Sequence, residues 1–184
     1  CIGRQLDGLI LGVLGMGRIG RRIAEVAHAI GMRVIYNDLL TRRELGLDDT
    51  NPAEFVDKPT LWAESDILSI HVDGRAENRR LINGDVLDQL KPACVLINAA
   101  RGMLVDAGAL AAWAKRAADQ GGRAILDVHD PEPPDADYPL YGLPNVTLLP
   151  HLASRTPTAM SNMSWVVRDV VRVLAGEPPK HAAV

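Results

Sequence analysis

Short apolar runs alternate with segments of helical periodicity along most of the chain, and this alternation constrains the fold more than any other feature. Residues 19–30 show the helical spacing most plainly, with apolar side chains at Ile19, Ile23, Val26 and Ile30. The runs rich in Val, Ile and Leu comprise residues 9–14, 34–36, 67–72, 94–98, 124–128 and 146–149. Such strands, separated by helices, are typical of a parallel sheet covered on both faces. The sequence therefore predicts an α/β fold with a doubly wound parallel sheet in three layers.

Capping and breaking residues place the other helices. Three more are predicted, over residues 85–90, 106–119 and 158–175. Asp106 supplies the cap of the middle one, and the glycines from Gly121 onward end it. Residues 39–58 are polar and mixed, so no regular element is expected there, with Pro52 and Pro59 as breakers.

The composition excludes several classes of protein. Hydrophobic residues make up 47% of the 184 residues and charged residues 23%, with a net charge of −3. These values suit an ordinary globular domain and exclude a disordered or strongly basic nucleic-acid-binding chain. Two cysteines, Cys1 and Cys94, make no disulfide framework, and no apolar run approaches a membrane span. We therefore expect one domain, no nucleic-acid or membrane partner, and a cytoplasmic location.

A glycine motif stands where the first predicted strand meets the first predicted helix. Residues 15–20 read Gly-Met-Gly-Arg-Ile-Gly and match the dinucleotide-binding pattern G-x-G-x-x-G. Gly15 permits the tight turn, Gly17 lets the backbone approach a pyrophosphate, and Gly20 lets the helix pack closely on the strand. The free N–H groups at the helix start, those of Arg18 and Ile19, suit phosphate oxygens. The motif in this context predicts a Rossmann dinucleotide-binding fold.

An acidic residue follows the second predicted strand at the distance that this fold requires. Asp38 lies 18 residues beyond Gly20, and the pattern expects an acid about 20 residues on, which binds the ribose hydroxyls. A carboxylate there accepts hydrogen bonds from a free ribose and repels a 2′-phosphate. The sequence therefore predicts NAD as the cofactor, with NADP less favoured. Arg42 and Arg43 lie close behind and could soften that rejection.

Three charged or titratable residues follow later predicted strands. Arg101, Glu132 and His151 each lie at or beyond the carboxyl end of a strand, which is the edge where parallel sheets bind ligands. Taken singly, each has an ordinary interpretation. Arg101 could pair with Asp106 on the surface, Glu132 could be an exposed loop charge, and His151 could cap a strand end.

The order of the motifs resembles that of the D-isomer-specific 2-hydroxyacid dehydrogenases. The resemblance runs from about Gly3 to Pro179 and rests on several motifs in family order. These are the glycine motif, the short helix before Pro92, Ile-Asn-Ala-Ala-Arg-Gly at 97–102, Leu-Asp-Val at 126–128 with Pro-Glu-Pro at 131–133, and Pro-His at 150–151. Ordered motifs of this kind are far more specific than one glycine loop.

The resemblance implies a role for each of these residues. His151 would be the general acid/base, a task suited to imidazole, and Glu132 would hold its other ring nitrogen. Arg101 would bind the substrate carboxylate through its planar fork. The residues implied to contact the cofactor are Gly15, Gly17, Arg18, Ile19, Gly20, Asp38, Val72, Ala99, Ala100, Arg101, Asp127 and His151. Hydride chemistry on nicotinamide needs no metal, and no metal site is expected.

Three positions depart from the family pattern. Asp73 stands where the family usually has proline, beside the adenine, which puts that wall of the site in doubt. Arg155 replaces a small residue near the presumed active site, and we expect its side chain to point outward. His129 stands where the family often has an aromatic residue.

The resemblance also implies a larger enzyme. Family members carry a substrate-binding domain built mainly from residues before the glycine motif, and only 14 residues precede Gly15. The chain begins with Cys1 rather than an initiator methionine, so we expect residues 1–184 to be the NAD-binding domain alone, with a tail at 178–184. The resemblance also implies a homodimer. The implied reaction is hydride exchange between NAD(H) and a small 2-oxo or 2-hydroxy acid of the glyoxylate or hydroxypyruvate type. The alternatives are a nicotinamide-sensing corepressor, a phosphite-type oxyanion dehydrogenase, and a Rossmann methyltransferase.

Overall fold

A computed structural model describes residues 4–48 and 50–180 of the chain. The chain divides into two compact units, Cys1–Pro150 and His151–Val184. Residues 181–184 of the expected tail lie outside the described residues, whereas 178–180 are exposed. Across the described ranges, no helix is both long enough and apolar enough to cross a membrane.

The first unit is built on a seven-stranded sheet in which every paired neighbour is parallel. The strands are β1 (Ile10–Leu14), β2 (Arg33–Asn37), β3 (Glu54–Phe55), β4 (Ile67–Ile70), β5 (Val95–Asn98), β6 (Arg123–Leu126) and β7 (Val146–Leu148). Their spatial order is β3-β2-β1-β4-β5-β6-β7, so the chain turns back across β1 after completing β3. This reversal creates the crevice at which doubly wound sheets bind ligands.

Helices connect the strands of the first unit. They are α1 (Arg18–Ala29), α2 (Lys58–Glu64), α3 (Gly84–Leu87) and α4 (Ala107–Ala117). Alternate residues of β2 enter different cores: Val34 and Tyr36 pack with Ala24 of α1, while Ile35 packs with Leu61 of α2. Because successive strand residues point to opposite faces, the two cores lie on the two sides of the sheet. The predicted three-layer doubly wound fold is therefore confirmed.

Predicted starts and stops of helices are also found where the local chemistry requires them. Asp106 caps α4 by accepting a hydrogen bond from the backbone N–H of Ala109 at 2.9 Å. Gly31 and Gly121, which follow α1 and α4, both have positive φ angles, 91° and 89°. Glycine adopts this left-handed conformation without the clash that a Cβ would cause.

The expectation of no regular element before Lys58, with Pro59 as a breaker, is wrong in part. β3 adds two residues at the edge of the sheet, too few to leave a periodic pattern in the sequence. Pro59 lies in the first turn of α2 rather than ending a segment, because the first turn of a helix needs no N–H from its proline. Asp57 completes this start by accepting a hydrogen bond from Thr60 N at 2.9 Å.

The second unit contains two helices where the periodicity predicted one. They are α5 (Pro157–Ser164) and α6 (Val166–Leu174), separated at Trp165. Thr156 caps α5 through a hydrogen bond from Ala159 N at 3.1 Å. Trp165 stays about half exposed, as do Met160 and Met163.

Candidate functional site

The turn between β1 and α1 can be formed only by glycine at its first position. Gly15 has φ 94°, and a Cβ there would lie 2.8 Å from the backbone carbon of His71. The backbone N–H of Gly15 donates to the carbonyl of Asn37 at 2.9 Å, which ties the turn to the end of β2. The turn is thus held against two neighbouring strands, β2 and β4.

The other two glycines have opposite surroundings. A Cβ on Gly20 would overlap the carbonyl oxygen of Gly15, so Gly20 allows α1 to approach the turn. A Cβ on Gly17 would meet nothing within 4 Å, so the space above this residue is open. Gly17 is also the N-cap of α1 and supplies no side-chain cap. The first N–H groups of α1, which include those of Arg18 and Ile19, therefore receive no hydrogen bond from a capping side chain.

Asp38 is joined directly to this turn. One carboxylate oxygen accepts a hydrogen bond from the backbone N–H of Met16 at 2.6 Å, and the other accepts from Leu40 N at 2.9 Å. Since Met16 lies between the first two glycines, the acid predicted from spacing alone is placed beside the turn. These bonds also fix the orientation of the carboxylate.

A cleft of about 240 Å³ opens in front of these residues, and we call it the glycine-turn cleft. Its walls come from the glycine turn, the end of β2, the segment after β4 and the start of α2. The lining residues are Leu14, Gly15, Gly17, Asn37, Asp38, Leu39, Lys58, His71, Val72, Asp73, Arg75, Asn78 and Leu81. Four predicted cofactor residues, Gly15, Gly17, Asp38 and Val72, are thus brought together.

The cleft fits a dinucleotide in three respects. The space over Gly17 admits a group that approaches the backbone closely. The uncapped start of α1 offers N–H donors and a partial positive charge to phosphate oxygens. The carboxylate of Asp38 borders the same space and can accept hydrogen bonds from ribose hydroxyls.

His71 forms part of the cleft wall. Its Nε2 atom lies 2.8 Å from the hydroxyl oxygen of Ser69, which is buried on β4. Burial lowers the pKa of His71 below its usual 6.5, so the ring is neutral at physiological pH. This residue therefore presents a neutral surface to the cleft.

The residues after β5 are arranged by an asparagine to which sequence reasoning gave no role. Asn98 is 1% exposed, donates to the carbonyl of Arg101 at 2.9 Å and accepts from the backbone N–H of Ala100 at 3.1 Å. The Asn98 side chain thus folds the turn that carries Ala99, Ala100 and Arg101. The only available signal was its place at the end of a buried strand, within the Ile-Asn-Ala-Ala-Arg-Gly motif.

Arg101 is exposed, and its side chain donates to the carbonyl of Ala100 at 2.6 Å. The alternative pairing with Asp106 is not observed. Asp106 instead caps α4, and its Oδ2 atom lies 3.7 Å from Nε of Arg80. A Cβ on Gly102 would overlap the carbonyl oxygen of His129. This close approach holds the turn after β5 against the segment after β6.

Asp127 and Glu132 follow β6 in different environments. Asp127 is 5% exposed, and its backbone N–H donates to the carbonyl of Asn98 at 2.9 Å. Glu132 is exposed on the following loop. Asp127 therefore lies beside the turn that carries Arg101, as expected for neighbouring strand ends.

His129 packs as the aromatic residue that it replaces would pack. Its ring meets that of Tyr138 edge to face, with centroids 5.7 Å apart. Its Nε2 donates to the carbonyl of Leu149 at 2.8 Å, since a carbonyl oxygen can only accept. Within the described part of the chain, Nδ1 is buried without a hydrogen-bond partner.

His151 is the first residue of the second unit and follows β7 by three residues. Its φ angle is 54°, a left-handed conformation that side chains other than glycine seldom adopt. Arg155, in the same unit, is exposed. Among residues 4–48 and 50–180, no group of three or more His, Cys, Asp or Glu side chains could hold a metal ion.

Comparison with known proteins identifies relatives of the whole chain. A glyoxylate reductase from Aeropyrum pernix is 39% identical over 181 residues, which are 97% of this chain and 52% of the relative. A glyoxylate/hydroxypyruvate reductase B from Pectobacterium carotovorum is 39% identical and covers 95% of this chain. The chain spans 54% of that relative, and so about half the length of the curated relatives it matches.

Solved structures of dehydrogenases also resemble this chain. D-lactate dehydrogenase with NAD⁺ from Lactobacillus jensenii superposes with a TM-score of 0.86 at 28% identity, over 100% of this chain and 58% of that one. The family model described as "D-isomer specific 2-hydroxyacid dehydrogenase, NAD binding domain" matches residues 1–153. The chain therefore belongs to the D-isomer-specific 2-hydroxyacid dehydrogenase family and contains its NAD-binding domain.

Proposed function

We propose that this chain is the cofactor-binding half of an NAD-dependent dehydrogenase that interconverts small 2-oxo and 2-hydroxy acids. The observation that carries the proposal is the glycine-turn cleft, in which an uncapped helix start and the Asp38 carboxylate border one space. Relatives named glyoxylate reductase and glyoxylate/hydroxypyruvate reductase favour acids of two or three carbons. A substrate-binding domain outside this chain would complete the active site.

Four kinds of contact would hold the cofactor, and its nicotinamide would supply the hydride for C2 of the substrate. The N–H groups of Arg18 and Ile19 would bind the pyrophosphate, and Asp38 would bind the adenosine ribose. Ala99 and Ala100 would line the nicotinamide, whose carboxamide would face Asp127. The burial of Asp127 gives that contact a fixed direction.

The substrate would be held and protonated by side chains. Arg101 would bind the carboxylate of the acid, since its planar fork matches two oxygens. His151 would donate a proton to the C2 oxygen during reduction and remove it during oxidation. Glu132 would hold the imidazole through its other nitrogen. The left-handed φ of His151 supports a functional role, since such conformations concentrate at active sites.

The structure of the β2 end favours NAD over NADP. Asp38 would repel a 2′-phosphate, and Arg42 is already bound to backbone carbonyls. Its guanidinium donates to Ala53 O at 3.0 Å, Asn51 O at 2.9 Å and Asp48 O at 2.5 Å. Arg42 therefore serves the loop rather than a phosphate. We expect a lower dissociation constant for NADH than for NADPH, and we expect Asp38→Asn to reduce the ratio of the two constants.

Titration of the 184-residue chain with NADH, followed by cofactor fluorescence, tests the proposal. We expect saturable binding that Gly17→Val abolishes, because a side chain there fills open space without touching the protein. Gly84→Val is the matched control, since its Cβ also meets nothing within 4 Å and Gly84 does not line the cleft. Absence of NADH binding by the unmodified chain would overturn the proposal.

Efficient turnover is expected of the full-length protein and not of the isolated chain. We expect the isolated chain to reduce glyoxylate, hydroxypyruvate or pyruvate weakly or not at all, because half of the substrate pocket and the closure that excludes water are missing. Robust turnover by the isolated chain would contradict the proposed division of labour. For the full-length protein, we propose a cytoplasmic homodimer, which light scattering and cell fractionation would check.

A further inference from the structure

One wall of the glycine-turn cleft is made of charged and polar side chains that bind one another. Arg75 donates from Nε to one carboxylate oxygen of Asp73 at 2.8 Å and from Nη2 to the other. Asn78 donates from Nδ2 to the carboxylate of Asp73 at 2.9 Å and to its backbone carbonyl at 3.1 Å. All three border the cleft, and we call them the Asp73–Arg75–Asn78 triad.

The triad is a poor source of stability. The side chains of Arg75 and Asp73 are 52% and 56% exposed, and exposed ion pairs contribute little to the free energy of unfolding. What the triad does achieve is orientation, because a guanidinium bound at two positions to one carboxylate cannot rotate freely. The flat Arg75 side chain is therefore fixed at the edge of the cleft.

The position of the triad within the cleft limits what it can contact. The glycine turn is suited to the pyrophosphate and Asp38 to the adenosine ribose. Both groups face the cleft that the triad also borders. Within this cleft, the base attached to that ribose would lie against the remaining walls, which include the triad and Leu39. Leu39 is 76% exposed and offers an apolar surface to a planar ring.

We propose that Arg75, held flat by Asp73 and Asn78, stacks on the adenine ring and is a specificity-determining residue for the adenosine half of the cofactor. This inference rests on the proposed function. A guanidinium stacks well on aromatic faces, where it combines cation–π attraction with planar contact. The triad would thus replace the proline wall usual in the family with a charged planar one.

Stacking fits the triad better than phosphate binding does. Asp73 pairs with Arg75, and this pairing lowers the pKa of Asp73, so both groups are ionised at neutral pH. The adjacent carboxylate would repel a phosphate, whereas the guanidinium keeps its charge and its flat face for stacking. Lys58 also lines the cleft and is the better candidate for attracting phosphate.

NADH titrations of Arg75→Ala and a matched control test the inference. We expect Arg75→Ala to weaken NADH binding by about three- to tenfold, the size of a partly exposed cation–π contact. Arg79→Ala is the control, because Arg79 is an exposed arginine near Arg75 that pairs with Asp130 outside the cleft. Equal losses in both variants, or no loss in Arg75→Ala, would overturn the inference.

Charge and shape are separated by a second variant and by salt. Arg75→Lys keeps the positive charge and loses the planar face, so we expect a loss close to that of Arg75→Ala. The loss should persist at about 0.5 M salt, which screens ion pairs strongly. Full affinity in Arg75→Lys, or a loss that disappears at high salt, would show phosphate attraction and overturn stacking.

NADH titrations give different results when the inference fails and when the proposed function fails. Failure of the unmodified chain to bind NADH would remove both. Binding by the unmodified chain with unchanged affinity in Arg75→Ala would remove only the inference. Reduced nicotinamide mononucleotide, which has no adenine, provides the last comparison. Its affinity should be equal in the unmodified chain and in Arg75→Ala, and an equal loss for this ligand would contradict a contact with adenine.

Discussion

The two halves of the sheet's carboxyl edge are built from different parts of the chain. In the nucleotide half, which follows β1, β2 and β4, the site is made largely by backbone: a glycine turn, an uncapped helix start and N–H groups that fix Asp38. In the half that follows β5 and β6, which we call the chemistry half, the proposed function has the site made by side chains such as Arg101 and Asp127. A backbone site depends on steric room, whereas a side-chain site depends on the loops that aim it.

Different kinds of substitution are therefore expected to damage the two halves. The nucleotide half fails when an atom is added, since a Cβ at Gly15 or Gly20 meets backbone. The chemistry half fails when a functional group is removed. Gly102 is an exception within the chemistry half, because its missing side chain lets the turn after β5 lie against His129 of the segment after β6.

The largest effect is expected from His151→Gln in the full-length protein. Loss of the proposed acid/base should lower kcat by about 10²- to 10⁴-fold, while the dissociation constant for NADH stays within a few-fold because the nucleotide half is intact. Steady-state and fluorescence titrations measure the two quantities. His28→Gln, on the exposed side of α1, is the control. Unchanged turnover in His151→Gln would remove this residue from the mechanism.

Gly20→Ala should break the nucleotide half through its packing. The added Cβ overlaps the carbonyl oxygen of Gly15, and the two nearest atoms both belong to the Gly15 backbone and cannot rotate away. We expect the free energy of unfolding to fall by about 1–3 kcal/mol, typical of overpacked sites, and NADH binding to be lost. Chemical denaturation of Gly20→Ala beside Gly17→Ala measures this. Gly17→Ala should stay near wild-type stability, and equal destabilisation of both would contradict the steric argument.

Asn98→Ala tests whether the two halves can be damaged separately, because in the chemistry half this buried side chain holds backbone groups in place. Its loss leaves the N–H of Ala100 and the carbonyl of Arg101 without their partner. We expect a loss of about 1–3 kcal/mol in stability and, in the full-length protein, a rise in KM for the acid that exceeds the change in NADH affinity. Asn98→Asp, which keeps the acceptor for Ala100, should recover part of the stability. A matching loss of NADH affinity would show that the two halves are not separable.

The same division explains how much could be predicted from the sequence. The six longer strands and the glycine turn were predictable, because burial on both faces and steric need dictate residue type locally. β3, α2 and the break at Trp165 were not, since two edge residues leave no pattern and Pro59 has opposite meanings inside a helix and at its start. The role of Asn98 was equally hidden, because it depends on which backbone groups the fold brings to its amide.

The smallest effect should appear in the pH dependence of the nucleotide half. Burial lowers the pKa of His71, so the unfolded chain binds a proton more readily than the folded one. Above about pH 7.5 the ring is neutral in both states and contributes nothing, whereas below the unfolded pKa of about 6.5 protonation favours unfolding. His71→Gln should therefore lose less stability than the unmodified chain between about pH 7.5 and pH 5.5. Urea midpoints at the two pH values measure this, with His28→Gln as control. Parallel losses in the His71→Gln variant and the unmodified chain would show that His71 does not carry this pH dependence.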